Sequence, residues 1–307
     1  MQSQCQIIAS PLNYTGGKAR LFPQIRPLFP DYINTFVDLF CGGCNVGINT
    51  KAERYYYNDI SEPLIGLYQT FLEVSEDELI SDFDRIINSY NLSDSTKHTY
   101  EYYSCNSSEG LAAYNKSKFE NIRDDFNALT QKDKYYYELF YMLIVFGFNN
   151  QIRFNKNGQF NLPVGKRDFN FKIRRKLSAF LKVLKKQKPV ITNIHFNDYD
   201  MSHLNDDCFV YCDPPYLIAT AAYNENGKWT EKEEYELLGL LDRLNAKKLR
   251  FALSNVLSHK GKENKLLKRW TEKNRYKVHH LNFGYTNSNY HTKDKVNLSD
   301  EVLIVNY

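Results

Sequence analysis

The stretch Thr35-Phe-Val-Asp-Leu-Phe-Cys-Gly-Gly43 decides the fold class of this 307-residue chain. Its compact apolar run ends in two glycines, which is typical of a buried strand that leads into a turn. A second strand-like run, Arg54-Tyr-Tyr-Tyr57, ends in Asn58-Asp59 and is followed by helical spacing from Glu62-Pro63 onward. A strand, a glycine turn, a second strand and a helix predict the beginning of an α/β fold.

The rest of the chain divides into a helical middle and a second α/β part. Residues 61–170 are polar and poor in strand signals, and they show helical spacing at 78–90, 118–129 and 135–146. An amphipathic helix at 172–186 then leads back to alternating strands and helices. The predicted elements there are strands at 191–194, 209–211 and 250–253, a helix at 231–244, and a closing antiparallel pair, 277–281 with 302–305. We therefore predict a mostly parallel sheet covered by helices and interrupted by a helical insertion.

The composition argues against two classes of protein. The chain contains no run of about 18 or more apolar residues, so we expect no membrane span. Met1–Ala9 lacks the basic and apolar segments of a secretory signal. The six scattered cysteines are expected to be reduced and mostly buried, as in a cytoplasmic protein. The net charge of +4 is compatible with nucleic acid, and the basic stretch 166–188 is either a solvated helix face or a phosphate-contacting face.

The tetrapeptide Asp213-Pro214-Pro215-Tyr216 carries the strongest chemical signal. It follows a predicted buried strand, and α/β sheets bind ligands beyond the carboxyl ends of their strands. The Asp213 carboxylate and the Pro214 carbonyl can accept the two N–H bonds of an aromatic amino group, so that its lone pair points at an electrophile. The two prolines hold these acceptors in one geometry, and Tyr216 offers a flat face for stacking on a base. The alternative is a proline-terminated strand end with an incidental tyrosine.

Two glycine-containing segments are candidates for a cofactor site. Gly42 lies in the turn Asp38–Gly47, where the backbone can approach a cofactor closely. Asp59 follows the second strand and either binds ribose hydroxyls or caps the next helix. The segment Pro11–Lys18 has a Gly-Gly turn followed by a cation, which can hold a carboxylate or be an ordinary loop.

Taken in order, these segments resemble the motifs of the Dam-type adenine methyltransferases, also called the D12 class. The matching segments are Asn13-Tyr-Thr-Gly-Gly-Lys18, Asp38-x-Phe40-x-Gly42, Asn58-Asp59, Arg153-Phe-Asn155 with Phe160-Asn-Leu-Pro163, and Asp213-Pro-Pro-Tyr216. The resemblance implies a Rossmann-like, S-adenosylmethionine-dependent methyltransferase sheet with a helical target-recognition insertion. It also implies methyl transfer to the N6 of an adenine flipped out of double-stranded DNA, without a metal.

The resemblance assigns roles residue by residue. The catalytic residues would be Asp213, Pro214, Pro215 and Tyr216. The donor-binding residues would be Tyr14, Gly17 and Lys18 at the amino-acid end of the donor, Asp38, Phe40 and Gly42 along the same pocket, Asp59 at the ribose and Asp198 at the adenine. The DNA-binding residues would be Phe148, Asn149, Asn150, Gln151, Arg153, Asn155 and Pro163, with Arg153 on a guanine. For the asparagines the alternative is a left-handed turn conformation.

The resemblance also implies a domain division and contains one departure. Residues 1–60 and 171–307 would form the catalytic domain, and residues 61–170 would form the recognition domain with a hairpin at Asn157-Gly158. The family usually has Phe-x-Gly-x-Gly, whereas Cys44 occupies the second glycine position here. We expect this change to alter the affinity for the donor rather than its identity.

The hairpin and the segment Tyr285–Tyr290 resemble methylases of GATC restriction–modification systems. This implies a bacterial or phage enzyme that acts on nucleoid DNA in the cytoplasm, with a restriction endonuclease encoded nearby. Related hairpins read longer sites such as GATATC, so that target stays open. A cytosine-N4 enzyme more often has serine at the position of Asp213. A dinucleotide-dependent oxidoreductase is the alternative of another class, based on the glycine turn and Asp59.

Overall fold

The computed structural model describes residues 7–14, 16–202, 204–218, 229–282 and 299–307. The segment 285–290 singled out above lies outside these residues. The chain groups into two compact units, one formed by Met1–Gly17 with Ser61–Ile191 and the other by Lys18–Ile60 with Thr192–Tyr307. The region predicted for target recognition, residues 61–170, lies in the first unit. Residues 171–187 and the first 17 residues group there as well, and the division into functional domains stays a prediction.

The strands form one mostly parallel sheet, which belongs to the second unit except for Val190 and Ile191. Its strands are β1 (Thr35–Asp38), β2 (Arg54–Asn58), β3 (Val190–Thr192), β4 (Cys208–Cys212), β5 (Arg250–His259), β6 (Lys262–Glu263), β7 (Lys277–Leu281) and β8 (Ser299–Val305). The strand order is β3-β2-β1-β4-β5-β8-β7, and β6 pairs with β5. β1 is parallel to β2 and β4, and β4 is parallel to β5. β8 is antiparallel to β5 and β7, as predicted for the closing pair. The predicted Rossmann-like α/β fold is confirmed.

The strand order creates a switch point between β1 and β4. From β1 the chain continues to β2 and β3, and it returns to β4 on the other side of β1. Both strands are buried along their whole length, and Asp38 lies opposite Tyr211 in the register. Connections leaving the carboxyl ends of these strands diverge, and open α/β sheets bind ligands in the crevice that results. Asp38 and Asp213 lie at this crevice.

Helices α1 (Phe22–Ile25), α7 (Glu231–Ala246) and α8 (Lys265–Asn274) belong to the second unit. Leu237 and Leu241 of α7 belong to one apolar cluster with Val210 and Leu253 of the sheet. α7 begins with a capping box in which Thr230 and Glu233 satisfy each other's backbone N–H groups. Helix α7 was predicted from the sequence. Helix α8 was not, because only a few positions of this short, highly charged helix are buried.

The first unit is helical. Its helices are α2 (Glu62–Glu73), α3 (Glu76–Ser89), α4 (Ala112–Ala128), α5 (Lys134–Phe146) and α6 (Phe171–Gln187). α5 is central, since every residue from Glu138 to Phe146 is buried. All five helices were predicted from apolar spacing, although α4 begins at Ala112 rather than Lys118. Within the described part of the chain, none of the helices has the length and apolar character needed to cross a membrane.

Candidate active site and recognition hairpin

Asp213 lies just after β4 in a nearly buried cluster of polar groups. Its Oδ1 atom is 2.8 Å from Nζ of Lys18 and 3.1 Å from the hydroxyl of Tyr216, which donates to it. The side chain is 18% exposed. Burial raises the pKa of Asp213 above its ordinary value, and the Lys18 ammonium and the Tyr216 hydroxyl oppose this rise. None of the hydrogen bonds described for Asp213 uses Oδ2, so this oxygen can accept a further N–H group.

Lys18 is a buried cation, only 4% exposed. Besides Asp213, its ammonium faces the ring of Tyr216, 5.0 Å from the ring centroid, and Oε1 of Glu301 at 3.6 Å. A base that stacks on Tyr216 would therefore use the face of the ring that Lys18 leaves open. The assignment of Lys18 to the amino-acid end of the donor stays a prediction beside its contact with Asp213.

Glu301, on β8, was not among the predicted residues. It is 13% exposed, and its Oε1 atom accepts a hydrogen bond of 3.1 Å from the Tyr216 hydroxyl. Burial raises its pKa, and Lys18 opposes the rise. Because 85 residues separate it from Tyr216, no local motif links the two, and the antiparallel return of β8 beside β5 brings them together.

Asp38, at the end of β1, has one carboxylate oxygen in use and one unpaired. Oδ2 accepts a hydrogen bond of 3.2 Å from the backbone N–H of Gly47. Oδ1 is buried and has no hydrogen-bond partner among the described residues. Burial raises the pKa of Asp38 well above its ordinary value, and the negative charge of Asp213 adds to the rise. An unpaired buried carboxylate oxygen beside a glycine turn fits the ammonium group of an amino-acid ligand.

The backbone of the glycine turn is left-handed at Cys44, the position where the sequence departs from the family pattern. Gly42 has φ 46° and Cys44 has φ 55°, both in the left-handed region. A glycine adopts this conformation without strain, whereas the Cβ of Cys44 makes it unfavourable by about 1–2 kcal/mol. Cys44 is held there by full burial and by its backbone hydrogen bond to Cys41. Both cysteines are free and buried, as predicted.

Asp59, Phe40 and Asp198 occupy different surroundings. Asp59 is buried, and its Oδ2 atom accepts a hydrogen bond of 2.9 Å from the backbone N–H of Gly42. The helix-cap alternative for Asp59 is not realised, because Ser61 is the N-cap residue of α2. Phe40 packs against Phe196, with ring centroids 5.4 Å apart. Asp198 is exposed and lies two residues after Phe196. Asp59 and Phe40 thus flank the turn that begins at Asp38.

Tyr14 and Gly17 belong to the first unit, where the N–H of Gly17 donates to the carbonyl of Tyr14 across a turn (3.1 Å). Their assignment to the donor stays a prediction.

The predicted recognition hairpin also lies in the first unit. Single bridges pair Gly147 with Val164 and Phe154 with Phe160 in antiparallel fashion. The side chain of Asn127, on α4, both donates to and accepts from the backbone of Phe160 (3.0 and 2.8 Å). This contact fixes the hairpin to the helical unit.

Within the hairpin, Arg153 is exposed and oriented by one neighbour. Its Nε atom donates to Oδ1 of Asn161 (2.9 Å), and Nη2 donates to the carbonyl of Asn161 (2.7 Å). Neither bond uses Nη1 or the second N–H of Nη2, which lie together at the end of the guanidinium group. That end is a fork of parallel donors, the arrangement that matches O6 and N7 of guanine.

The other predicted DNA contacts fall into two groups. Asn149 and Asn150 have left-handed backbone angles, with φ of 53° and 52°. The side chain of Asn150 donates to the carbonyls of Ile144 and Val145. The side chain of Asn155 accepts hydrogen bonds from the backbone of Asn157 and Gln159. The left-handed angles of Asn149 and Asn150 and the internal bonds of Asn150 and Asn155 agree with the turn alternative, and DNA contacts by all three stay a prediction. Phe148, Arg153 and Pro163 are exposed, and Gln151 is half-buried.

Comparison with known proteins agrees with this geometry. Residues 14–286 match the family of D12 class N6 adenine-specific DNA methyltransferases. The chain is 41% identical over 306 residues to the type II methyltransferase M.FokI of Planomicrobium okeanokoites, covering 98% of this chain and 43% of that protein. It is 37% identical over 313 residues to the modification methylase StsI of Streptococcus sanguinis, covering 100% of this chain and 44% of that protein.

The chain is also similar to a shorter DNA adenine methylase. The chain is 30% identical over 216 residues to a DNA adenine methylase of Haemophilus influenzae, covering 70% of this chain and 66% of that protein. The chain spans less than half the length of M.FokI and StsI.

Proposed function

Because this chain belongs to the D12 class of N6 adenine-specific DNA methyltransferases, we propose that it methylates the N6 atom of adenine in double-stranded DNA with S-adenosylmethionine as the donor. The observation that carries the proposal is Asp213 at the sheet's switch point, held by Lys18 and Tyr216 through Oδ1. A dinucleotide-dependent oxidoreductase leaves this cluster without a role, and the family membership removes that alternative.

The protein's part in the reaction is to hold the adenine amino group. Oδ2 of Asp213 and the carbonyl of Pro214 accept its two N–H bonds, which turns the nitrogen lone pair towards the donor. Lys18 favours the ionised form of Asp213 and so opposes burial, which raises the pKa of this carboxyl group. Since these groups are preorganised in a site with little water, they act mainly by positioning and electrostatics. An adenine inside a duplex is out of reach, so it is flipped out first.

The donor is held at the other side of the switch point. Asp38 Oδ1 binds its ammonium group, Asp59 its ribose hydroxyls, and Phe40 lines the pocket, with Asp198 as the candidate at the adenine. When bound, S-adenosylmethionine supplies an electrophilic methyl group on a sulfonium. Tyr14, Gly17, Lys18 and Gly42 complete the proposed set.

The helical unit is the proposed recognition domain. Arg153 presents its donor fork to a guanine. The exposed Phe148 and Pro163 and the half-buried Gln151 are further proposed contacts, together with Asn149, Asn150 and Asn155. GATC is the first target to test, because the hairpin resembles GATC enzymes, and GATATC is the second. The names type II methyltransferase and modification methylase, borne by M.FokI and StsI, support a role in a restriction–modification system. A cognate endonuclease and a cytoplasmic setting belong to the same proposal.

The proposal is tested by incubating the purified chain with methyl-labelled S-adenosylmethionine and unmethylated plasmid DNA. Nucleoside analysis by mass spectrometry should find the label in N6-methyladenine, and modification-aware sequencing should give one recognition sequence. Label in cytosine or in RNA alone, or no label in any nucleic acid, would overturn the proposal. A target other than GATC would replace the sequence and keep the activity.

Arg153→Ala is expected to reduce discrimination at one guanine of the target. Loss of a bidentate guanine contact lowers the preference by about 1–3 kcal/mol, or about 5- to 150-fold in kcat/KM. The measurement compares kcat/KM on the cognate site and on sites with each base replaced. Lys156→Ala, an exposed cation in the same hairpin, is the control and should weaken all sequences equally. An equal loss on all sequences for Arg153→Ala would assign Arg153 to a phosphate instead.

Lys18→Met is expected to move the acid limb of the kcat–pH profile to higher pH. The ionised carboxylate of Asp213 is a stronger acceptor of N–H bonds than the neutral acid, so activity falls as the pH drops through its pKa. Lys18 lowers the pKa values of both Asp213 and Glu301, and its removal raises them. Arg20→Met, at an exposed cation two residues away, should leave the limb in place. A limb that stays put or moves to lower pH in Lys18→Met would contradict the pairing.

A further inference from the structure

We propose that Glu301 is a positioning residue for methyl transfer, which acts by holding the Tyr216 hydroxyl and the Lys18 ammonium in place around Asp213. The inference rests on the proposed function.

Glu301 and Asp213 share the same two donors. The Tyr216 hydroxyl lies 3.1 Å from Oδ1 of Asp213 and 3.1 Å from Oε1 of Glu301. Nζ of Lys18 lies 2.8 Å from Oδ1 of Asp213 and 3.6 Å from Oε1 of Glu301. The Lys18 ammonium, with three N–H groups, faces both carboxylates, and the single proton of the Tyr216 hydroxyl is shared between them. The four groups therefore form a closed cycle. Removing Glu301 would open both bridges at once.

The backbone that carries Glu301 is firmly held. In β8, Glu301 pairs with Val256 of β5 on one side and with Leu281 of β7 on the other. The four residues that follow it, Val302 to Val305, are all buried. Asp213 and Tyr216, by contrast, lie in the segment that follows the end of β4. Glu301 thus supplies a fixed point on the sheet against which these two side chains are oriented.

The contacts predict which step depends on Glu301. Tyr216 offers its ring to the base, and Asp213 offers Oδ2 to the amino group. A displacement of either side chain therefore changes the position of the flipped adenine. Asp38 and Asp59, proposed for the donor, make none of their described hydrogen bonds to Glu301. Loss of Glu301 should therefore lower kcat and leave donor binding unchanged. A merely structural role, satisfying the charge of buried Lys18, would lower stability and leave kcat of the folded enzyme near that of the parent.

The test compares Glu301→Ala and Glu301→Gln with the parent chain. We expect kcat to fall about 10- to 100-fold in Glu301→Ala, the range caused by small misplacement of reacting groups. Glu301→Gln should fall less, because its amide oxygen still accepts from Tyr216 while the charge facing Lys18 is lost. The Kd for S-adenosylmethionine should stay within about threefold of the parent value, which is less than the tenfold change that about 1.4 kcal/mol produces. Calorimetry measures this Kd at a temperature where all variants are folded.

A double-mutant cycle separates positioning through Tyr216 from an independent effect. Tyr216→Phe removes the hydroxyl and keeps the ring, so adding Glu301→Ala to it should reduce kcat by much less than Glu301→Ala does in the parent. Asp300→Asn, the neighbouring strand residue paired with His280 at the surface, is the matched control and should leave kcat unchanged.

Two outcomes would overturn the inference while the proposed function stands. One is full kcat in folded Glu301→Ala and Glu301→Gln when the parent methylates adenine. The other is equal losses of kcat and donor affinity in both variants. A parent chain that transfers no methyl group to adenine would instead overturn the proposed function itself.

Discussion

Asp213→Ala is expected to lower kcat about 10²- to 10⁴-fold, the range found when a positioned acceptor or preorganised polar group is removed from an active site. The change deletes the Oδ2 acceptor proposed for the adenine amino group and leaves the buried Lys18 without its nearest carboxylate. Asp38 and Asp59, proposed for the donor, remain. The Kd for S-adenosylmethionine should therefore stay within about threefold of the parent, well under the factor of ten that 1.4 kcal/mol represents. Single-turnover methylation and calorimetry measure the two quantities.

The matched variant is Asp213→Asn. It keeps one oxygen acceptor and the size of the side chain, but it removes the charge that pairs with Lys18. Its activity should lie between those of Asp213→Ala and the parent. Undiminished methylation by Asp213→Ala would remove the residue from the catalytic site. A large rise in donor Kd with little change in kcat would place Asp213 in the donor pocket instead.

Asp38→Asn is expected to weaken binding of S-adenosylmethionine about 10- to 150-fold, which corresponds to loss of one charge-assisted hydrogen bond of about 1.5–3 kcal/mol. The amide oxygen can still accept from the N–H of Gly47, so the turn is preserved. The amide nitrogen cannot accept from the donor's ammonium, and the buried negative charge is gone. The effect should therefore appear in the donor Kd and much less in kcat at saturating donor.

Two controls accompany Asp38→Asn. Asp31→Asn removes an exposed acidic charge from the same unit and should leave the donor Kd unchanged. S-adenosylhomocysteine, which keeps the ammonium group and lacks the sulfonium, should lose affinity for Asp38→Asn by a similar factor. An unchanged Kd for both ligands would contradict the assignment of Asp38. A loss confined to the sulfonium ligand would place Asp38 beside the sulfur instead.

Local sequence patterns were sufficient for most of the elements and for the central motif. The apolar runs at β1 and β4 could be read directly, because strands buried on both faces require continuous apolar residues. The Asp213–Tyr216 motif could be recognised because its chemistry depends on four consecutive residues. The short helix α8 was not predicted, because its few buried positions lie among charged residues.

The recognition hairpin shows where residue type alone was ambiguous. Asparagine is suited both to base edges and to left-handed turns, and the sequence left both roles open for Asn149, Asn150 and Asn155. The left-handed angles of Asn149 and Asn150 and the internal hydrogen bonds of Asn150 and Asn155 agree with the turn role, while their contacts with DNA stay a prediction. Asn161, which orients Arg153, was not singled out, because it faces Arg153 only when the hairpin is closed.

The sequence by itself determined the α/β class, the order of the motifs and the family, and it predicts Asp213 as the central acceptor. The tertiary structure decided which distant groups share its surroundings: it brought Lys18 from before β1 and Glu301 from β8 to Asp213 and Tyr216, and it left one oxygen of Asp38 unpaired. The physical reason is that strand order is set by the packing of the whole sheet. A sequence motif reports short-range chemistry, whereas a buried ionic cluster forms only where non-consecutive strands end side by side.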